Sequence, residues 1–170
     1  RNLSFFEETQ ILDGGILGYS GIDLVIDHFD GLHACVHNET AGSLEYIFID
    51  KDDVMTWTLV DDGNGNDVGS QCDIALDAQN RARIAYLDSD AFSLKFAYDA
   101  PPHFVNPEDW HVRTITEEWN VSGPLELSIL ENGSDVILWI DNDTRFLKTS
   151  YFTSTFWRHE SVIESEIDGY

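Results

Sequence analysis

The stretch Ser70-Gln-Cys-Asp-Ile-Ala-Leu-Asp77 decides how this chain is read, because it occurs in three versions. The others are Gly21-Ile-Asp-Leu-Val-Ile-Asp27 and Pro124-Leu-Glu-Leu-Ser-Ile-Leu130. With Asp27 as origin, Asp77 and Leu130 follow at steps of 50 and 53 residues. Leu44, Leu94 and Leu147 keep those steps, and so do Val36, Tyr86 and Trp139. Trp57, Trp110 and Trp157 recur at 53 and 47 residues, and Phe6 precedes Trp57 by 51. Several independent positions therefore carry one period of about 50 residues, which marks a repeat architecture.

Each repeat contains four short runs of β-branched and aromatic residues. The first runs are Ile22 to Asp27, Cys72 to Asp77 and Leu125 to Leu130. The second are His33 to His37, Arg83 to Leu87 and Val136 to Ile140, and the third are Leu44 to Phe48, Leu94 to Tyr98 and Leu147 to Phe152. The fourth open at each Trp. Polar turns at Asp30-Gly31, Gln79-Asn80 and Asn132-Gly133 suit the positive φ of tight hairpins. Such runs make antiparallel strands. Helical periodicity is nearly absent: Glu108 to Trp119 is the one tempting window, and Thr114-Ile115-Thr116 reads better as a strand. Pro101-Pro102 and Pro107 mark the most irregular loop, a candidate for a specific contact. The expectation is one all-β domain over residues 1–170. It is a β-propeller-type array of three four-stranded antiparallel blades, with repeats at about 18–65, 66–119 and 120–168. Residues 1–17, with the run Phe6 to Ile11, form an additional outer strand.

The phrases Ile74-Ala-Leu-Asp77, Asp30-Gly31, His33, Ile84-Ala-Tyr86, Leu94-Lys-Phe-Ala97 and Leu147-Lys148, with the three Trp, resemble a family of bacterial and archaeal β-propeller repeats. That family reads Leu-Ala-Leu-Asp, Asp/Asn-Gly, His-Ile-x-Tyr, Leu-Lys-Tyr-Ala, then Trp. The resemblance covers essentially the whole chain and implies stacked blades; it implies nothing about activity. Repeat three departs most, with Leu130 where the family has Asp, and the sialidase-type Asp-box is not present. Propellers commonly have four to eight blades, and an open array leaves exposed edges. The expectation is therefore a homo-oligomer: two chains closing a six-bladed ring, or strand donation running into a filament. A fragment of a longer propeller reads the same way.

The chain has 32 acidic and 9 basic residues, a net charge of −23. Such a surface repels nucleic acid and anionic membranes and favours cations or cationic partners. Lys occurs only at 51, 95 and 148. This fits either a plain solubilising acidic surface or a saline habitat. No run reaches the roughly 20 apolar residues of a membrane helix, and Arg1-Asn-Leu-Ser-Phe-Phe has no apolar h-region of a signal peptide. Sequons at Asn2, Asn38, Asn120, Asn132 and Asn142 point to a glycosylated extracellular or cell-surface protein, although the same residues serve as turn formers. Cys35 and Cys72 fit either an inter-blade disulfide or two buried free thiols.

No nucleophile elbow or phosphate loop is present, and six scattered His make no metal-spaced cluster. Asp23, Asp73 and Glu126 share one repeat position and could ring the axis as oxygen ligands for Ca²⁺, or else cap backbone N–H groups. Asp62, Asn64, Asn66 and Asp67, with Asp73 at the twelfth position, resemble half of a calcium loop, but the sixth position is Asp67 rather than Gly. The expectation is no cofactor, with Ca²⁺ as the alternative at these acids. Tyr19, Phe29, Phe92, Trp119 and Tyr170 fall outside the best strand positions and offer sugar-stacking platforms or inter-blade packing. The reading is a non-catalytic extracellular module that binds or self-assembles. A glycan-binding lectin-like module is the alternative, and a glycan hydrolase or lyase fragment is the third.

Overall fold

The computed structural model describes residues 17–99, 110–116, 120–153 and 156–162, with backbone alone for 17–20. The expected strand at Phe6 to Ile11, the Pro101–Pro107 loop, Asn2, Trp119, Tyr170 and the Tyr19 side chain lie outside the described residues.

The described chain is all β apart from a 3₁₀ turn at Gly63–Gly65. Sheet 1 holds β1 (Leu17–Ile26), β2 (Leu32–Asn38), β3 (Ser43–Ile49) and β4 (Met55–Asp61). Sheet 2 holds β5 (Val68–Leu76), β6 (Ala82–Asp88), β7 (Ser93–Asp99) and β8 (Trp110–Thr114). Sheet 3 holds β9 (Val121–Ile129), β10 (Asp135–Asp141), β11 (Leu147–Phe152) and β12 (Trp157–Ser161). Each is an antiparallel meander in chain order. The register repeats as well: Asp23 pairs with Cys35, Asp73 with Ala85 and Glu126 with Leu138. The first strands start earlier than their apolar runs, because register irregularities between Leu17 and Ile22, and between Val68 and Cys72, carry Gly and Ser into the ladder. Among the described residues no helix is long and apolar enough to cross a membrane.

The first hairpin turns follow from their residues. Asp30, Asn80 and Gly133 occupy one repeat position and all have positive φ, between 59° and 81°. Asp27 Oδ1 accepts from the N–H groups of Phe29 and Gly31, and Asp77 Oδ1 accepts from Gln79 and Arg81. Leu130 cannot do this, and Asn132 replaces it by accepting from Ser134 N. The second hairpins use Asn38, Asp88 and Asp141 in the same way, bonding Ala41, Ala91 and Asp143.

Alternation along each strand drives the stacking. In β6, Ile84 and Tyr86 face sheet 1, where they join Cys35, Leu44, Tyr46 and Val60. Their neighbours Ala85 and Leu87 face sheet 3, where they join Leu127, Ile137 and Trp139. Sheet 2 therefore lies between the others. Trp110 and Trp157 pair opposite Asp99 and Phe152, one equivalent site, and each meets a ring of the preceding sheet edge-on at 5.1 Å: Tyr46 and Phe96. Trp57 pairs opposite Ile47, two residues further along, so its sequence match to the other Trp is not a structural one. Between sheets 1 and 2, Asp61 is buried and accepts from the Tyr86 hydroxyl (2.6 Å) and the Lys95 ammonium. Burial alone would raise the Asp61 carboxyl; the Lys95 and Tyr86 bonds outweigh it and hold the group below its usual range.

Cys35 of β2 and Cys72 of β5 form a disulfide that ties sheet 1 to sheet 2. Spanning 37 residues of sequence, it contributes roughly 2–4 kcal/mol by restricting the unfolded chain. Gly21 marks a close inter-sheet approach: a Cβ there would stand 2.1 Å from the Gly69 carbonyl oxygen. Gly21→Ala is expected to cost about 1–3 kcal/mol, the scale of core overpacking, read as a lower denaturation midpoint. Reduction of the disulfide should lower the melting temperature of the wild type by several degrees, and of Cys35→Ser not at all.

Candidate ligand cavity between the second and third sheets

The three repeat-equivalent acids sit on the first strands. Asp23 Oδ2 accepts from Ile74 N across the gap to sheet 2 (3.0 Å), and Asp73 Oδ2 accepts from Leu127 N across the gap to sheet 3. The Asp23 carboxyl lies close enough to the Asp73 carboxyl to perturb its titration. Burial pushes Asp73 up to about 7, the neighbouring Asp23 and the charge of Glu126 push the same way, and the Leu127 N–H opposes them. Asp23 and Asp73 fasten sheet to sheet by capping backbone donors, whereas Glu126, the third of the set, lies on the first strand of sheet 3, which has no following sheet among the described residues.

The Asp62 to Asp67 segment is committed to turn and inter-sheet bonds. Asp62 caps Asn64 N, Asn66 Nδ2 donates to Asp88, and Asp67 Oδ1 accepts from His37 Nε2 at 2.7 Å. Among the described residues no three His, Cys, Asp or Glu side chains are grouped to hold a metal ion. Of the sequons, Asn132 and Asn142 are exposed on turns. The Asn38 and Asn120 amide nitrogens donate to Glu45 and Asp143. Phe29 and Phe92 are exposed.

The structure brings together a different set. A cavity of about 250 Å³ opens between sheets 2 and 3, lined by Arg81, Arg83, Tyr98, Arg113, Asp135 and Trp157, with Phe96, Asp99 and Phe152 completing the wall. The rings supply one side: Trp157 stands 5.1 Å from Phe96 and 5.5 Å from Phe152, centroid to centroid. The other side is charged. Arg83 Nη1 bonds both oxygens of Asp135 (3.0 and 2.7 Å) and its Nη2 reaches Asp77. Arg81 Nε donates to the same Asp77 oxygen at 2.6 Å. Arg113 lies over the Tyr98 ring, 5.5 Å from its centroid, and donates to the Tyr98 hydroxyl. Burial raises the Asp135 carboxyl in spite of Arg83. For Asp77, burial is outweighed by Arg81, and the group is held low.

The same positions between sheets 1 and 2 are filled differently. Gly31 and His33 replace Arg81 and Arg83, and Tyr46 and Phe48 replace Phe96 and Tyr98. His33 is buried against Phe48, at 4.7 Å between rings, with its Nδ1 2.6 Å from the Tyr46 hydroxyl and its Nε2 3.3 Å from Asp27. Burial lowers the His33 pKa against the pull of Asp27. Ala82 occupies the place of Asp135. The charged cavity thus arises where repeat two and repeat three depart from repeat one. None of its nine lining residues was singled out as a site by the sequence reading. The available signal was this departure: Arg83 where repeat one has His33 and repeat three has Val136.

No protein-family model and no curated protein sequence matches the chain. Among solved structures, a fucose lectin from Kordia zhangzhouensis, in complex with methyl-fucoside, shares the fold. Its TM-score is 0.51 at 14% identity, over 82% of this chain and 97% of the lectin chain. A bifunctional GH43-CE protein of Bacteroides eggerthii aligns at TM-score 0.48 and 11% identity over 85% of this chain, which spans only 20% of that protein's length.

The raised Asp73 pKa sets a direction for stability against pH. Its folded value lies above the ordinary 3.8, so between about 4 and 7 the folded state binds the extra proton. The stabilisation is complete below that window and is lost as pH rises through about 7. Melting temperature is expected to fall from pH 5 to pH 8, with a flatter profile in Asp73→Asn, which still accepts from Leu127 N. An unchanged slope in the variant would discount the Asp23–Asp73 interaction.

Proposed function

We infer that this chain is a non-catalytic carbohydrate-binding module of β-propeller type, taking a saccharide in the cavity between sheets 2 and 3. The observation that carries this is the pairing of an aromatic wall with a fixed array of guanidinium and carboxylate groups. Sugar C–H faces stack on rings, and vicinal hydroxyls need donors and acceptors side by side. Arg81 and Arg83 are held in place by Asp77, Gln79 and Asp135, which keeps their remaining N–H donors oriented. The fold shared with a chain described as a fucose lectin supports the same reading. Both oxygens of Asp135 are engaged by Arg83, which suits a fixed hydrogen-bonding array for a bound ligand.

An extracellular or cell-surface location goes with this reading. The Cys35–Cys72 bond needs an oxidising compartment, and the Asn132 and Asn142 sequons lie on exposed turns. The stacked sheets act as blades of the resembling repeat family.

A glycan array followed by calorimetry tests the site. Wild type is expected to retain at least one saccharide class. Trp157→Ala and Arg113→Ala should each weaken it by tenfold or more, on the scale of a lost stacking or charge-assisted contact. Arg113→Ala should melt within a few degrees of wild type, whereas Trp157→Ala also loses its packing on Phe96 and Phe152 and should melt lower, so its binding is read well below its own melting temperature. Equal affinity in both variants would move the ligand elsewhere, and release of sugar products by the wild type would favour an enzyme.

A further inference from the structure

All three guanidinium groups of the cavity belong to the second repeat alone. The places of Arg81 and Arg83 hold Gly31 and His33 in repeat one, and Ser134 and Val136 in repeat three. Arg113 pairs opposite Phe96; the equivalent ladder positions hold Thr58, opposite Tyr46, and Glu160, opposite Thr149. None of these six is Arg or Lys. The chain has 9 basic residues against 32 acidic ones, and three of the nine line this one space. The common scaffold does not require them, because the first gap closes with Gly31 and the buried His33 at the matching places.

Depth sorts the charges. The side chains of Asp77 and Asp135, which pair with Arg81 and Arg83, are 4% and 3% exposed; those of the two Arg are 28% and 18% exposed. Asp99 is buried as well. The acids therefore lie behind the guanidinium groups, and an incoming molecule meets N–H. Arg113 is exposed, and among the described residues no carboxylate pairs with it. It donates to the Tyr98 hydroxyl and lies over the Tyr98 ring.

A guanidinium offers donors and no acceptor. A neutral sugar hydroxyl both donates and accepts, so such a rim satisfies it only in part. A carboxylate or sulfate only accepts, matches the guanidinium fork and carries the opposite charge. The net charge of −23 does not forbid an anion here. At physiological salt, exposed charges beyond about 8 Å are largely screened, which leaves the groups at the rim to decide.

We propose that the ligand of this cavity is an acidic saccharide whose oxyanion is taken by Arg113, with Arg81 and Arg83 as further donors, while a sugar face rests on the Trp157 wall. This rests on the saccharide reading and names the class of sugar.

Calorimetry on the intact chain tests it. The probes are uronate oligosaccharides of the galacto, gluco and manno series, each beside its neutral methyl ester, and sulfated oligosaccharides beside their unsulfated parents. At least one acidic member is expected to bind about tenfold or more tighter than its neutral counterpart, the scale of a charge-assisted hydrogen bond. Whether uronate or sulfate shows that ratio identifies the source of the oxyanion. Arg113→Gln keeps an N–H for the Tyr98 hydroxyl and loses the charge; it should bring the two affinities within about threefold. Arg113→Lys should keep part of the ratio, since the charge stays and the fork is lost. Neutral sugars bound as tightly as acidic ones overturn the proposal and leave the saccharide reading standing. Failure of every sugar, acidic and neutral, overturns the saccharide reading and the proposal with it. An acidic preference that survives in Arg113→Gln overturns the assignment of the oxyanion to Arg113.

Discussion

The structure depends on a constraint imposed by β6: it is apolar on both faces. Ile84 and Tyr86 point one way and Ala85 and Leu87 the other, and all four are buried. A four-stranded meander with two such faces has no stable existence alone, because one side would always meet water. It must be sandwiched. The disulfide, the inner-strand carboxylates and the edge-on Trp contacts all act at surfaces which that demand has already brought together. They fix distance and alignment between sheets whose association burial drives.

Much of this was legible in the amino-acid order, for a physical reason. Strand alternation and turn chemistry are local, and each repeat writes them again. The turn positions Asp30, Asn80 and Gly133 could be read because left-handed backbone admits few residue types. The substitution of Leu130 for Asp looked like a loss of pattern; in the fold Asn132 restores the turn bond from two positions away. The matched Trp were partly misleading: a Trp can open a strand run in sequence while its ladder partner shifts by two, as at Trp57. The outer strand expected from Phe6 lies beyond the described residues.

The cavity was not legible, because its residues are far apart in sequence and belong to two repeats. Arg83 and Asp135 meet only after sheets 2 and 3 stack. Of the acids that did attract attention, Asp23 and Asp73 bond backbone N–H groups of the next sheet, and the Asp62–Asp67 segment bonds its own turn, Asp88 and His37. In a repeat protein, conserved-looking recurrence serves the common scaffold, and individuality collects where one copy breaks the pattern. His33 fills and closes the space that Arg83 leaves open one step later.

The covalent tie between Cys35 and Cys72 joins only the first two sheets. The third is attached by packing, by the Asp73 bond and by the Arg83–Asp135 pair. The seam without a staple is the seam that holds the cavity. Local opening there would part the walls of the pocket while the tethered two-thirds stayed folded. If the pocket takes the saccharide proposed above, a guest bridging both walls would add the cross-seam tie that the covalent bond does not supply.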